Sequence, residues 1–140
     1  MKKISHATAI ACADHWLKDP VKKWVKQFFG VERVDFVTEH QPETFLTIEK
    51  KEKIVDIQQK LTELSKDQDG ELVIIVAHDG CDYGVVPVNE RQAILAEAAQ
   101  KAQRWGHGQR IIGLWLDEDN EPEMVYDSYS AQSDVWKRAA

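Results

Sequence analysis

The chain is poor in cysteine, has no long apolar run and carries no excess of positive charge. Each shortage removes a class of protein. Only two cysteines occur in 140 residues, which is too few for the disulfide-dense scaffolds of small secreted domains. They stand far apart as Cys12 and Cys81, so the Cys-x-x-Cys pair of a dithiol redox site is missing and nothing marks either thiol as activated. No stretch approaches the ~18 apolar residues of a membrane span. Lys2 and Lys3 open the chain, but His6 and Asp14 interrupt the apolar core a secretory leader needs. A cytoplasmic location is therefore expected, where two cysteines serve as thiols or metal ligands. A net charge of -6 argues against a nucleic-acid partner, which calls for a basic face. The seven glycines include no Gly-x-x-x-x-Gly-Lys-Ser/Thr run, so no phosphate loop is present. Internal repeats and low-complexity segments are also lacking.

What is present suits one ordinary domain over residues 1–140, with 43% hydrophobic and 30% charged residues. Residues 6–12 read as a buried strand. Asp19-Pro20 reads as a helix start, with Asp as cap and Pro at the first helical position. Val21, Trp24, Val25, Phe28 and Phe29 follow at helical spacing and Gly30 closes the helix. Trp16 and these aromatics read as core or dimer contacts. Residues 31–39 alternate as a second strand, while 40–48 fit no pattern. From about Glu49 to Ser65, Ile54, Ile57, Leu61 and Leu64 form a helical stripe. Asp69-Gly70 marks a turn. Leu72 to Ala77 is apolar on both faces, as in a central parallel strand. Asn89 and Gln92 stand at capping-box spacing before a helix that runs to about Trp105. Arg110 to Leu116 reads as a further strand and Met124 to Tyr126 as a short edge strand.

Strand–helix alternation predicts an α/β fold with a mainly parallel central sheet and helices on both faces. With strand order 2-1-3-4, plus the short edge strand, the first and third strands are neighbours. Their C-terminal ends then flank the switch point where ligands bind in open α/β sheets. Cys12 and Asp14 follow the first strand; His78 and Cys81 follow the third. Two apolar runs thus end in residues that bind metal or move protons.

Zinc favours thiolate and imidazole ligands, and its catalytic sites keep one of four positions open. Cys12, His78 and Cys81 make a Cys₂His set for Zn²⁺, with His78 and Cys81 at His-x-x-Cys spacing on one turn. Two thiolates cancel the ion's formal charge and soften the site, so a neighbouring carboxylate matters more. Asp14 is the candidate catalytic residue: it either orients a zinc-bound water or occupies the fourth position. His15, Trp16, Asp79, Gly80 and Tyr83 stand around this set. Asp79 and Asp82 read as turn residues with solvated charges, with orienting His78 as the alternative role for either; Gly80 serves backbone geometry.

These residues resemble the β-class carbonic anhydrases. That family has a Cys-x-Asp-Ser-Arg motif after its first strand and a His-x-x-Cys motif after a later one. The matching segments here are Cys12-Ala13-Asp14-His15-Trp16 and His78-Asp79-Gly80-Cys81. The resemblance implies a zinc lyase that hydrates carbon dioxide reversibly through zinc-bound hydroxide, giving bicarbonate and a proton. It also implies a homodimer or higher homo-oligomer. Two departures stand out. Trp16 replaces the motif arginine, which pairs with the aspartate and holds it off the metal, and an indole lacks a charged bidentate fork. Asp82 follows the second cysteine where the family commonly has glycine. Three alternatives therefore stand beside carbonic anhydrase: a non-catalytic zinc-binding homologue, a hydrolase of a carbon dioxide analogue such as carbonyl sulfide, and a thiol redox protein using Cys12 and Cys81.

Overall fold

The computed structural model describes residues 6–12, 15–39, 51–64, 72–79, 86–104 and 110–129, apart from the side chains of His15 and Leu64. Within them, β1 (His6–Ala11), β2 (Arg33–Thr38), β3 (Leu72–His78), β4 (Arg110–Leu116) and β5 (Pro122–Asp127) form one sheet in the order β2-β1-β3-β4-β5. The helices are α1 (Lys18–Phe29), α2 (Lys51–Leu64) and α3 (Val88–Gln103). β2, β1, β3 and β4 run parallel, and β5 pairs antiparallel with β4. The expected strand order and edge strand are present.

Layering follows from the direction of travel. From β1 to β2 the chain moves one way along the sheet; from β2 to β3, and again to β4, it moves the other way. If every crossover is right-handed, reversing direction changes the face that receives the helix. The core divides accordingly. Ala7, Ala9, Leu72, Ile74, Val76 and Leu114 pack with Val21 and Val25 of α1. Ile10, Val73, Ile75 and Trp115 pack with Ile57 and Leu61 of α2 and with Leu95, Ala98 and Ala102 of α3. All of β1 and β3 is buried, which explains why neither strand alternates in sequence.

Helix starts depart from the capping expected. A 3₁₀ turn, His15–Leu17, leads straight into α1, whose N-cap is Leu17 with no side-chain bond. Asp19 and Pro20 lie inside the first turn, where backbone N–H groups have no intrahelical partner and proline costs little. Likewise α3 is preceded by Pro87, not capped by Asn89. At the other end of α1, Gly30 takes φ 69° and donates its N–H to Lys26 O at 2.9 Å, as its sequence position suggested. Val34 and Val37 of β2 are buried. The region of 40–48, the Asp69-Gly70 turn and Trp105 lie outside the described residues.

The β4–β5 hairpin closes on Asp117, whose Oδ1 accepts N–H bonds from Asp119 (2.8 Å) and Glu121 (2.9 Å). Asn120 supplies the left-handed residue at φ 62°. Gly113 lets β5 come close: a Cβ there would lie 3.2 Å from Tyr126 Cβ. Arg110 forks onto Asp127 through Nε (3.0 Å) and Nη2 (2.6 Å) and lies between the rings of Phe29 and Tyr129. The Asp127 hydrogen bond holds the Arg110 pKa above its ordinary value, against burial.

Tyr126 ties β5 to α3 by donating its hydroxyl proton to Gln103 Oε1. Burial, then the Asp127 charge, push its phenol pKa up. The unfolded phenol ionises near pH ~10, so folding favours the neutral form. That stabilisation is complete below pH ~10 and declines as pH rises through the higher folded value. Tyr126→Phe is expected to flatten the alkaline fall in stability and to cost about 0.5–1.5 kcal/mol at neutral pH for the lost hydrogen bond. Urea unfolding at stepped pH checks both; an unchanged alkaline slope contradicts the assignment.

Candidate metal centre

The sheet brings the ends of β1 and β3 side by side. Registered pairing runs Ala7↔Leu72 to Ile10↔Ile75; continued, it sets Cys12 level with Ala77, one residue before His78. Both strand ends are held beyond their last residues. Glu39 N–H donates to Ala11 O, and Asp79 N–H donates to Leu116 O, each at 2.9 Å. These bonds tie the C-terminal edge to β2 on one side and β4 on the other.

Cys12 is a buried thiol in the core layer that includes α1. His78 is 2% exposed and continues the face of Leu72, Ile74 and Val76, which pack in the same layer. Its ring meets Trp16 edge-on, with centroids 5.1 Å apart and planes at 88°. The 3₁₀ turn before α1 thus carries Trp16 over the end of β3. At 38% exposure, the indole is partly open to solvent.

The tautomer of His78 follows from its partner. Nδ1 lies 2.9 Å from the Asp79 carbonyl oxygen. A carbonyl only accepts, so Nδ1 carries hydrogen, and in the neutral ring the lone pair is on Nε2. Metal-ligating histidines are commonly oriented by such a bond from the other ring nitrogen. A thiol and an imidazole in this tautomer, on one face at adjacent strand ends, are donors that suit zinc. The Asp79 contact to the His78 ring is made by the backbone carbonyl, not by the side chain.

Asp14, Gly80, Cys81 and Tyr83 lie outside the described residues, as do Asp82 and the His15 side chain. Among the described residues, no three His, Cys, Asp or Glu side chains gather as a metal-binding group. Two of the three sequence-predicted ligands, Cys12 and His78, are thus located, at the edge where the strand order put them.

One residue at this edge escaped the sequence reading. Arg91, in the first turn of α3, is 5% exposed. Its Nη2 donates to His78 O at 2.6 Å, and its Nη1 lies 3.6 Å from Asp79 Oδ1. The guanidinium carbon lies 4.9 Å from the Trp115 ring centroid, a cation–π contact. The readable sign was periodicity: Arg91 shares one helical stripe with Leu95, Ala98 and Ala102, all buried. A charge on an apolar stripe needs a buried partner.

The fold and these strand ends define an open α/β protein with soft metal donors at its topological switch point. Residues 2–126 match a family model described as "Putative carbonic anhydrase", so the chain belongs to that carbonic-anhydrase-like family. No curated protein and no solved structure matches it. The family implies a small-molecule substrate. Among the described residues, no helix is long and apolar enough to cross a membrane.

Proposed function

We propose that this protein is a zinc-dependent carbonic anhydrase that interconverts carbon dioxide and water with bicarbonate and a proton. The observation that carries the reading is the His78 Nδ1 contact: it lies 2.9 Å from Asp79 O, a pairing that in the neutral ring puts the lone pair on Nε2, at the end of the strand beside Cys12. Family membership supplies the reaction class.

In this reading Cys12, His78 and Cys81 hold the ion. Bound zinc acidifies water and supplies hydroxide near neutral pH. Asp14 accepts a hydrogen bond from the reacting water and aims it at the substrate. Trp16 shields the His78 side of the pocket. The small linear substrate needs little more than a shaped, partly apolar pocket, so carbonyl sulfide is a second substrate of the same chemistry. The reading takes residues 1–140 as one domain, located in the cytoplasm, assembling as a homodimer or higher homo-oligomer and binding no nucleic acid.

A hydration assay on zinc-loaded and metal-stripped protein tests the proposal. Rate above background only in the loaded form is expected; a loaded form at background rejects it. Trp16 favours a second reading, a homologue that binds zinc without turnover, because the position lacks the guanidinium that keeps the motif aspartate off the metal. Trp16→Arg decides how much that loss matters. Restoring a charge-assisted pair for Asp14 is expected to raise the hydration rate on the order of tenfold, equivalent to ~1.4 kcal/mol. An unchanged or lower rate in the folded, zinc-loaded variant contradicts the pairing role.

A further inference from the structure

We propose that Arg91 is the positioning arginine of this centre, acting through the β3 backbone to fix the tautomer and aim of the His78 ring. The inference rests on His78 being a zinc ligand, but it assigns a role to a residue outside both sequence motifs.

Arg91 approaches from the α2–α3 side of the sheet, whereas the His78 side chain lies on the α1 side with Trp16. The guanidinium therefore reaches the strand end from behind and does not fill the pocket. Its two contacts act on consecutive residues, the His78 carbonyl at 2.6 Å and the Asp79 carboxylate at 3.6 Å. The Asp79 N–H is held separately by Leu116 O at 2.9 Å. With its side chain and N–H both constrained, Asp79 presents its carbonyl in one direction, toward His78 Nδ1. The sequence of restraints runs from α3 through Arg91 to Asp79 and then to the imidazole. A guanidinium suits this task because one arm hydrogen-bonds the His78 carbonyl while its charge faces the Asp79 carboxylate. Trp115 under the guanidinium sets its plane. The motif arginine of the family pairs with the aspartate of the first motif. Arg91 instead contacts His78 and Asp79, the first two residues of the second.

The test uses the full-length chain in two states. On metal-free protein, long-range ¹⁵N–¹H NMR of the histidine rings reads the His78 tautomer. On the same samples, cobalt(II) titration followed by its visible ligand-field bands reads metal affinity and geometry. The wild type is expected to show Nδ1–H alone. Arg91→Met, which keeps side-chain length but removes the fork, is expected to populate both tautomers, to weaken cobalt binding about 10–100-fold and to change the band pattern. Arg91→Lys keeps the charge and is expected to fall between the two. Asp79→Asn, at a half-buried position, removes the ion pair without emptying the core. It is expected to shift both signals in the same sense, and it decides the question should Arg91→Met fail to fold. Variants that keep a single Nδ1–H tautomer and wild-type cobalt affinity overturn the proposal. If the wild type takes up no cobalt, the zinc reading fails, while the tautomer comparison still decides the positioning role.

Discussion

His78→Ala is expected to weaken zinc binding at least ~100-fold while the chain still folds. Zinc sites built from cysteine and histidine have apparent binding energies of about 10–16 kcal/mol shared over four ligands. One ligand then represents roughly 3 kcal/mol, or about two decades in Kd. Removing the ring also removes a face of the Trp16 contact, so a small loss of stability accompanies the larger loss of affinity. Competition against a chromophoric chelator measures the change. His6→Ala is the matched control. His6 is as deeply buried, but it sits at the N-terminal end of β1, where its Nε2 lies 2.7 Å from Asp35 Oδ2. That hydrogen-bonded position is at the opposite end of the strands, so zinc affinity in this variant is expected to stay at the wild-type value. Equal losses in both variants would mean that histidine burial, and not ligation, controls the affinity.

Ile75→Ala is expected to be strongly destabilising, costing about 2–5 kcal/mol. Ile75 is fully buried in the central strand, opposite Ile10 and Gly113, in the layer formed with Ile57, Leu61 and Leu95. Strand neighbours on both sides and helices above leave little room for the cavity to collapse. Against a total stability of ~5–15 kcal/mol for an ordinary domain, the variant is marginal. Urea unfolding reads the loss, and zinc affinity measured in the absence of urea is expected to be unchanged, because Ile75 faces away from the α1 layer. Val55→Ala, on the exposed face of α2, is expected to change stability by less than ~0.5 kcal/mol. A comparable loss at both positions contradicts the layered core.

The same contrast explains what could be read from the chain beforehand. β1 and β3 are legible because complete burial leaves continuous apolar runs; right-handed crossovers limit the strand orders without selecting one, so 2-1-3-4 enters the sequence reading as a supposition that the sheet matches. The placement of Cys12 and His78 at adjacent strand ends came from that order. Helix starts were not legible. Asp19-Pro20 and Asn89 carry strong local capping signals, yet the preceding 3₁₀ turn starts α1 earlier and Pro87 precedes α3 without a side-chain cap. In both cases the helix starts before the residue with the local capping signal, so a cap worth about 1 kcal/mol does not fix the boundary. Phe28 was grouped with its aromatic neighbours, but it is 56% exposed and stacks on Trp24 at the surface. Arg91 was hidden for a different reason. Its contacts are to the backbone carbonyl of His78, thirteen positions away, and to the carboxylate of Asp79, twelve positions away, and no local pattern encodes such a pairing. Trp16 reads in the sequence as a missing arginine and as a core or dimer contact; that its ring meets His78 depends on the 3₁₀ turn.

Metal content per chain is the most direct measurement of the central claim. Protein purified without a metal-affinity tag, analysed by elemental spectrometry, is expected to hold about one zinc per chain, with Cys12 protected from thiol reagents until a chelator is added. No zinc as purified, none taken up on reconstitution, and a Cys12 thiol whose reactivity ignores the chelator would contradict a zinc centre at the ends of β1 and β3.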